Sequence, residues 1–162
     1  IFGLFLFSSS LNKLIKQITI FTIAHSLTLI FVSLSLIKIN PYIVEPIIAL
    51  SIVYVGLENI FKKYIKEYMR YIVILFFGLL HGLGFALVLS DIGYRSSKLF
   101  LNLISFNIGI EVAQISIILL LYLLIAIKFA KNKYYRITFQ IPSSILIASI
   151  GFYWFIERIG IL

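Results

Sequence analysis

The sequence predicts an all-α protein: a polytopic transmembrane helix bundle with five complete spans and the end of a truncated one. Three observations predict it. Apolar residues arrive in separate blocks, each of about 20 residues, the length a helix needs to cross a hydrocarbon core. Basic residues gather in short tracts between those blocks rather than along one helix face. Only 12% of the 162 residues are charged while 62% are hydrophobic, against roughly a quarter charged in a soluble domain.

Taken in order, IFGLFLFSSS (1–10) reads as the end of an apolar segment that begins upstream, so the chain is expected to be a fragment. A basic linker, 11–16, carries Lys13 and Lys16 into the first complete span, about 17–37. Lys38, Asn40 and Pro41 end that span, because proline cannot continue a helix and restricts the residue before it. The second span is expected over about 42–61, with Pro46 tolerated in its opening turns. Lys62, Lys63, Lys66 and Arg70 then read as a membrane exit.

The third span covers about 71–89, and a polar turn over 90–98 leads to the fourth, about 99–127. That block is longer than a perpendicular crossing requires, so it should tilt or begin with an interfacial turn. Lys128, Lys131, Lys133 and Arg136 close it, and the fifth span follows over about 137–156, with Tyr153 and Trp154 at the level of an aromatic belt. The whole of 1–162 is expected to be one transmembrane domain.

The formal charge of +8 does not point to nucleic acid, because the basic residues punctuate apolar blocks instead of forming a stripe. It points to orientation in a lipid bilayer. Ten of the 14 Lys and Arg fall in 11–16, 62–70 and 128–136, all on one side of the predicted bundle. Lys and Arg accumulate in cytoplasmic loops, so those three tracts are expected to be cytoplasmic and the carboxy terminus outside. The absence of cysteine excludes a disulfide framework and a thiolate metal site.

Ionisable side chains at membrane depth are disfavoured by about 2.5 to 3.5 kcal/mol each on insertion scales, so they are where function is sought first. Both histidines of the chain fall inside predicted spans: His25 in FTIAHSLTL and His81 in FGLLHGLGFA. The fourth span carries FNIGIEVAQ, where Asn107, Glu111 and Gln114 share one helix face by their spacing. At about 1.5 Å per residue, Glu111 reaches a depth that overlaps those of the histidines. Three helices are thus expected to offer two imidazoles, a carboxylate and two amides to one chamber.

Thr22, one turn before His25, is placed to orient its ring. Small residues recur every four positions at Gly78, Gly82 and Ala86, and again at Gly109 and Ala113, a spacing that lets helices pack closely. Glu58 and Asn59 are expected to snorkel or cap at the cytoplasmic end of the second span, with a gate role as the alternative, and Glu45 is expected at its outer end. A structural interhelical hydrogen bond is the competing explanation for either histidine.

Imidazole with carboxylate suits nickel, cobalt, iron or zinc better than magnesium or calcium, and the same groups suit proton relay. Spacing does not separate the two. Catalysis is disfavoured: the chain has no HExxH, no GxSxG elbow and no phosphate-cradling glycine loop. It is not expected to be an enzyme or to hold a tightly bound cofactor.

FTIAHSLTL, VEPIIALSIVYVGLEN, FGLLHGLGFA and FNIGIEVAQ, in that order from Phe21 to Gln114, resemble the successive motifs of the HupE/UreJ family. These are hydrogenase and urease accessory membrane proteins, and the chain is similar to the branch with an extracytoplasmic amino-terminal region. The resemblance implies a multi-pass protein of the bacterial inner membrane, among relatives regarded as nickel or cobalt permeases that feed metalloenzyme maturation proteins. It points residue by residue to His25, Glu45, Glu58, Asn59, His81, Asn107, Glu111 and Gln114. Two departures stand out: the family's upstream Gly-x-Asp-His motif would precede Ile1, and Ala113 stands where many relatives have glycine.

The expectation that follows is a permease for a divalent transition metal, nickel first and cobalt second. His25, His81 and Glu111 would be transient ligands, Asn107 and Gln114 would line the path, and Thr22, Glu45, Glu58 and Asn59 would act as gate or support. A non-transporting accessory subunit or metallochaperone, or a proton-relay protein, is the alternative. A metal-dependent intramembrane enzyme ranks third.

Overall fold

The structure is a computed structural model, and it describes residues 1–7, 10–61, 66–91, 99–126 and 134–160. Among these, the helices are α1 (Phe2–Phe7), α2 (Leu11–Ser33), α3 (Pro41–Ile60), α4 (Glu67–Asp91), α5 (Leu99–Leu121) and α6 (Ile141–Arg158). A π-helical turn, Tyr122–Ala126, extends α5, and another, Arg136–Gln140, leads into α6. No strand occurs among the described residues. Five of the helices are long and apolar enough to cross a membrane, so the chain is an all-α, multi-pass membrane bundle.

Helix limits follow local chemistry. Asn40 opens α3 by accepting the Tyr42 N–H at 3.1 Å, and Pro41 occupies the first helical position, where its missing N–H costs nothing. Pro46 lies buried inside the same helix. α2 ends at Ser33, short of the expected 37, because Ser35 adopts a left-handed φ of 59° that no helix can include. Leu34, Leu36 and Ile37 are exposed, so no burial holds them in helical form.

Two of the three basic tracts differ from expectation. Residues 11–16 are not a linker but the first turns of α2, where the Lys13 ammonium meets the Glu67 carboxylate of α4 at 2.8 Å. Arg70, the last residue of the second tract, is not in a connecting loop. It belongs to the opening turns of α4 and is buried. Lys62, Lys63, Lys128, Lys131 and Lys133, like Arg95 and Lys98 in the expected turn between α4 and α5, lie outside the described residues.

The bundle is built from two closely packed pairs, α2 with α4 and α3 with α6, joined by a smaller α3–α4 contact. α5 leans on α2, and α1 tucks Phe5 and Leu6 against Leu14 and Ile18 of α2 and Ile118 of α5. Glycine makes both close pairs possible. A Cβ on Gly78 would stand 2.6 Å from the Phe21 carbonyl oxygen of α2, and one on Gly56 would stand 2.7 Å from the Ser144 carbonyl oxygen of α6. The Gly78, Gly82, Ala86 repeat therefore faces α2, as its spacing suggests, and it brings the α4 backbone against the turn that carries His25. The second repeat does not pack: Gly109 has no atom within 4 Å of its would-be Cβ, and Ala113 is exposed.

Candidate functional site

His25 lies on the buried face of α2 and is only 7% exposed. Its ring stacks on Phe21 of its own helix, with centroids 6.1 Å apart, and meets Phe85 of α4 at 6.0 Å. Neither ring nitrogen has a hydrogen-bond partner, though both atoms are sealed from solvent. An unsatisfied buried polar atom costs about 1 to 3 kcal/mol, so the aromatic packing of this ring has that cost to offset.

His81, on α4, packs edge-on against the same phenyl ring, with its centroid 5.3 Å from that of Phe21 and the planes at 61°. Its Nδ1 lies 2.8 Å from the Phe77 carbonyl oxygen. A carbonyl only accepts, so Nδ1 carries the proton, and when the ring is neutral Nε2 is its lone pair. Phe21 thus packs against two imidazoles, each on a different helix.

The polar residues of α5 reach α2 but not the rings. The Thr22 hydroxyl donates to the Gln114 amide oxygen at 3.0 Å, and the Ser26 hydroxyl approaches the Asn107 amide oxygen at 2.7 Å. Thr22 is therefore engaged with Gln114 and does not orient the His25 ring. Asn107 donates from Nδ2 to the Leu103 carbonyl at 2.8 Å, which fixes its amide so that the oxygen faces α2. Glu111 is partly buried on the same helix. No group of three or more His, Asp or Glu gathers around a common point among the described residues, so Glu111 is not brought to the two histidines in this conformation.

A cavity of about 550 Å³ opens beside this site. Phe21, His81 and Gln114 form part of its wall, with Ser51 and Val55 of α3, Ile74 and Phe77 of α4 and Trp154 of α6. Most of the lining is apolar, and His81, Gln114 and Ser51 supply polar side chains.

The remaining singled-out residues lie away from the rings. Glu45, half-exposed, pairs with Arg158 of α6 at 3.5 Å, and Arg158 lies over the Trp154 ring at 5.9 Å. Glu58 and Asn59 neither snorkel nor cap: both are buried, Glu58 against Arg70 of α4 at 2.8 Å and Asn59 donating to the Gly3 carbonyl at 3.0 Å. Sequence reasoning missed Arg70, Phe21 and Ser51. Arg70 carried one signal, its place on the α4 face that includes Phe77 and His81, which the basic tract around it obscured.

The family model for the HupE / UreJ protein matches residues 1–158. The chain belongs to the HupE/UreJ family. Comparison of this HupE/UreJ chain with curated proteins and with solved structures finds no match. The four motifs that carried the resemblance now have places in a HupE/UreJ bundle: the first and third hold the two imidazoles on the tightly packed α2–α4 pair, and the fourth supplies the amides of α5.

Proposed function

We propose that this HupE/UreJ chain is a membrane permease for a divalent transition metal, nickel first and cobalt second, that supplies the maturation of hydrogenase- or urease-type metalloenzymes. The observation that carries the reading is His25: two buried ring nitrogens with no partner, beside Phe21, which also packs against a second imidazole whose Nε2 is free of its own backbone bond. Imidazole nitrogen favours nickel, cobalt and zinc over magnesium and calcium. Passage also requires sites that release the ion, and two imidazoles with a phenyl ring packed against both bind more weakly than a closed four-ligand site.

In this reading the ion enters the chamber walled by His81, Gln114 and Ser51, and His25 takes it when Phe21 swings aside. Glu111 shares the α5 face of Asn107 and Gln114 by helical spacing, and its charge attracts the dication toward the rings. Protein and ion part unchanged, so the role is transport rather than catalysis. The membrane is the bacterial inner membrane, with the α3–α4 connection on the cytoplasmic side by the distribution of Lys and Arg. The membrane potential acting on a divalent cation then favours uptake.

Uptake of radioactive nickel tests the proposal, in cells carrying the full-length protein and His25→Ala or His81→Ala variants at equal membrane abundance. Wild type should accumulate metal above the empty control, and each variant should lose most of that excess. Equal accumulation by wild type and variants would remove the site assignment. No uptake by the wild type would leave the non-transporting accessory or metallochaperone role in its place.

A further inference from the structure

Glu58 and Arg70 form an ion pair at 2.8 Å whose side chains are 2% and 1% exposed. Buried pairs of this kind contribute little net stability, because desolvation offsets most of the attraction, and charges at membrane depth are otherwise costly. Their position suggests what they are for. On α3, Ser51 and Val55 line the chamber, and Glu58 follows one turn further along the same face. On α4, His81, Phe77 and Ile74 line it, and Arg70 follows one turn beyond Ile74. The two helix faces that wall the chamber therefore meet in this pair at the end that carries the α3–α4 connection.

A second observation points to a ligand. Oε2 of Glu58 takes the guanidinium, while Oε1 is buried with no hydrogen-bond partner. The neighbouring Asn59 is fully buried, and its Oδ1 also lacks a partner although its Nδ2 is bound to Gly3. Both atoms are acceptors only, so what satisfies them is a hydrogen-bond donor or a cation, and the carboxylate charge favours the cation.

We propose that Glu58 is a cation-binding station at the inner end of the chamber, occupied at rest by the guanidinium of Arg70, which closes the exit. A dication descending from His81 competes with Arg70 for the carboxylate, and as the guanidinium leaves, the inner ends of α3 and α4 come free. The travelling ion belongs to the permease reading above, whereas closure by the pair stands or falls without it.

The chain has no cysteine, so Ser51→Cys places a single thiol in the chamber wall. A membrane-impermeant cationic methanethiosulfonate is applied to sealed vesicles of each orientation carrying the full-length protein. Three backgrounds are compared: the unaltered pair, Glu58→Gln with Arg70→Gln, and the reversed pair Glu58→Arg with Arg70→Glu. Losing the pair should speed labelling from the α3–α4 side by about tenfold, equivalent to about 1.4 kcal/mol in the balance between closed and open. Labelling from the opposite side should not change, and the reversed pair should restore the slow rate. Equal rates with and without the pair, acceleration from both sides, or no restoration by reversal would each overturn the proposal. The labelling needs no metal, so a permease that fails in nickel uptake does not alter its outcome.

Discussion

The Thr22 hydroxyl of α2 donates to the Gln114 amide oxygen of α5 at 3.0 Å, and one turn along α2 the Ser26 hydroxyl lies 2.7 Å from the Asn107 amide oxygen. These two contacts join α5 to the rest of the bundle where its packing is otherwise modest and its outer face open. Interhelical hydrogen bonds in bilayers average about 0.6 kcal/mol and reach about 1.7. Thr22→Val, which keeps the side-chain shape, should therefore destabilise the bundle by about 1 kcal/mol. Gln114→Leu alone should cost about as much, and the double variant less than the sum of the two. A double-mutant cycle on unfolding in detergent measures the coupling, and strict additivity would mean that the contact contributes nothing.

Gly82 faces the backbone of α2 at the turn that holds the site. A Cβ there would meet the Thr28 hydroxyl and the His25 carbonyl oxygen at distances no real contact shows. Thr28 also bonds the Leu79 carbonyl at 2.8 Å, so the two helices cannot part without breaking that link. Gly82→Ala should destabilise by about 1 to 3 kcal/mol, the range for overpacked cores, and should disturb His25 through its own carbonyl. Gly109→Ala, with nothing near its would-be Cβ, should be neutral or slightly stabilising. Thermal unfolding of the two purified variants, side by side, checks the contrast.

The same pair of glycines shows how far sequence carries. Length and hydropathy predicted five long apolar helices, because a bilayer forces each crossing to be one. The repeat at Gly78 and Gly82 has the same spacing as the one at Gly109 and Ala113, yet only the first meets a neighbour. Which stripe packs depends on how helices associate, and no local pattern encodes that. The site was legible in the same partial way. His25, His81, Asn107 and Gln114 stood out as polar groups at membrane depth, whereas Phe21, one more aromatic among many, gave no sign that it would pack against both rings. Arg70 was read with the lysines around it, and only the fold turns its face toward Glu58.

That ion pair yields a stability prediction distinct from its role in closure. Glu58→Gln leaves the Arg70 charge buried without its carboxylate, a change that in other proteins costs about 3 to 5 kcal/mol. Glu58→Gln combined with Arg70→Met removes both charges and keeps the volume close, so it should recover most of that loss or exceed the wild type. Folded yield and unfolding midpoint in detergent report both. If the single variant matched the wild type in stability, Glu58 would have no part in holding Arg70 in the bundle.

Phe21 packs against both imidazoles, with ring centroids 6.1 Å from His25 and 5.3 Å from His81, and it lines the chamber as well. In the permease reading, the phenyl group packed against both rings is a barrier to their sharing an ion. Phe21→Ala removes that barrier and leaves both imidazoles on their own helices. Cobalt should then bind about tenfold more tightly, equivalent to about 1.4 kcal/mol, and its visible absorption bands should shift with nitrogen ligation. Adding His25→Ala to Phe21→Ala should abolish the gain, because one imidazole alone cannot bridge. Titration of the purified proteins with cobalt chloride reads all three. Affinity unchanged in Phe21→Ala would show that the rings act separately, and transport would then have to proceed by transfer from one imidazole to the next.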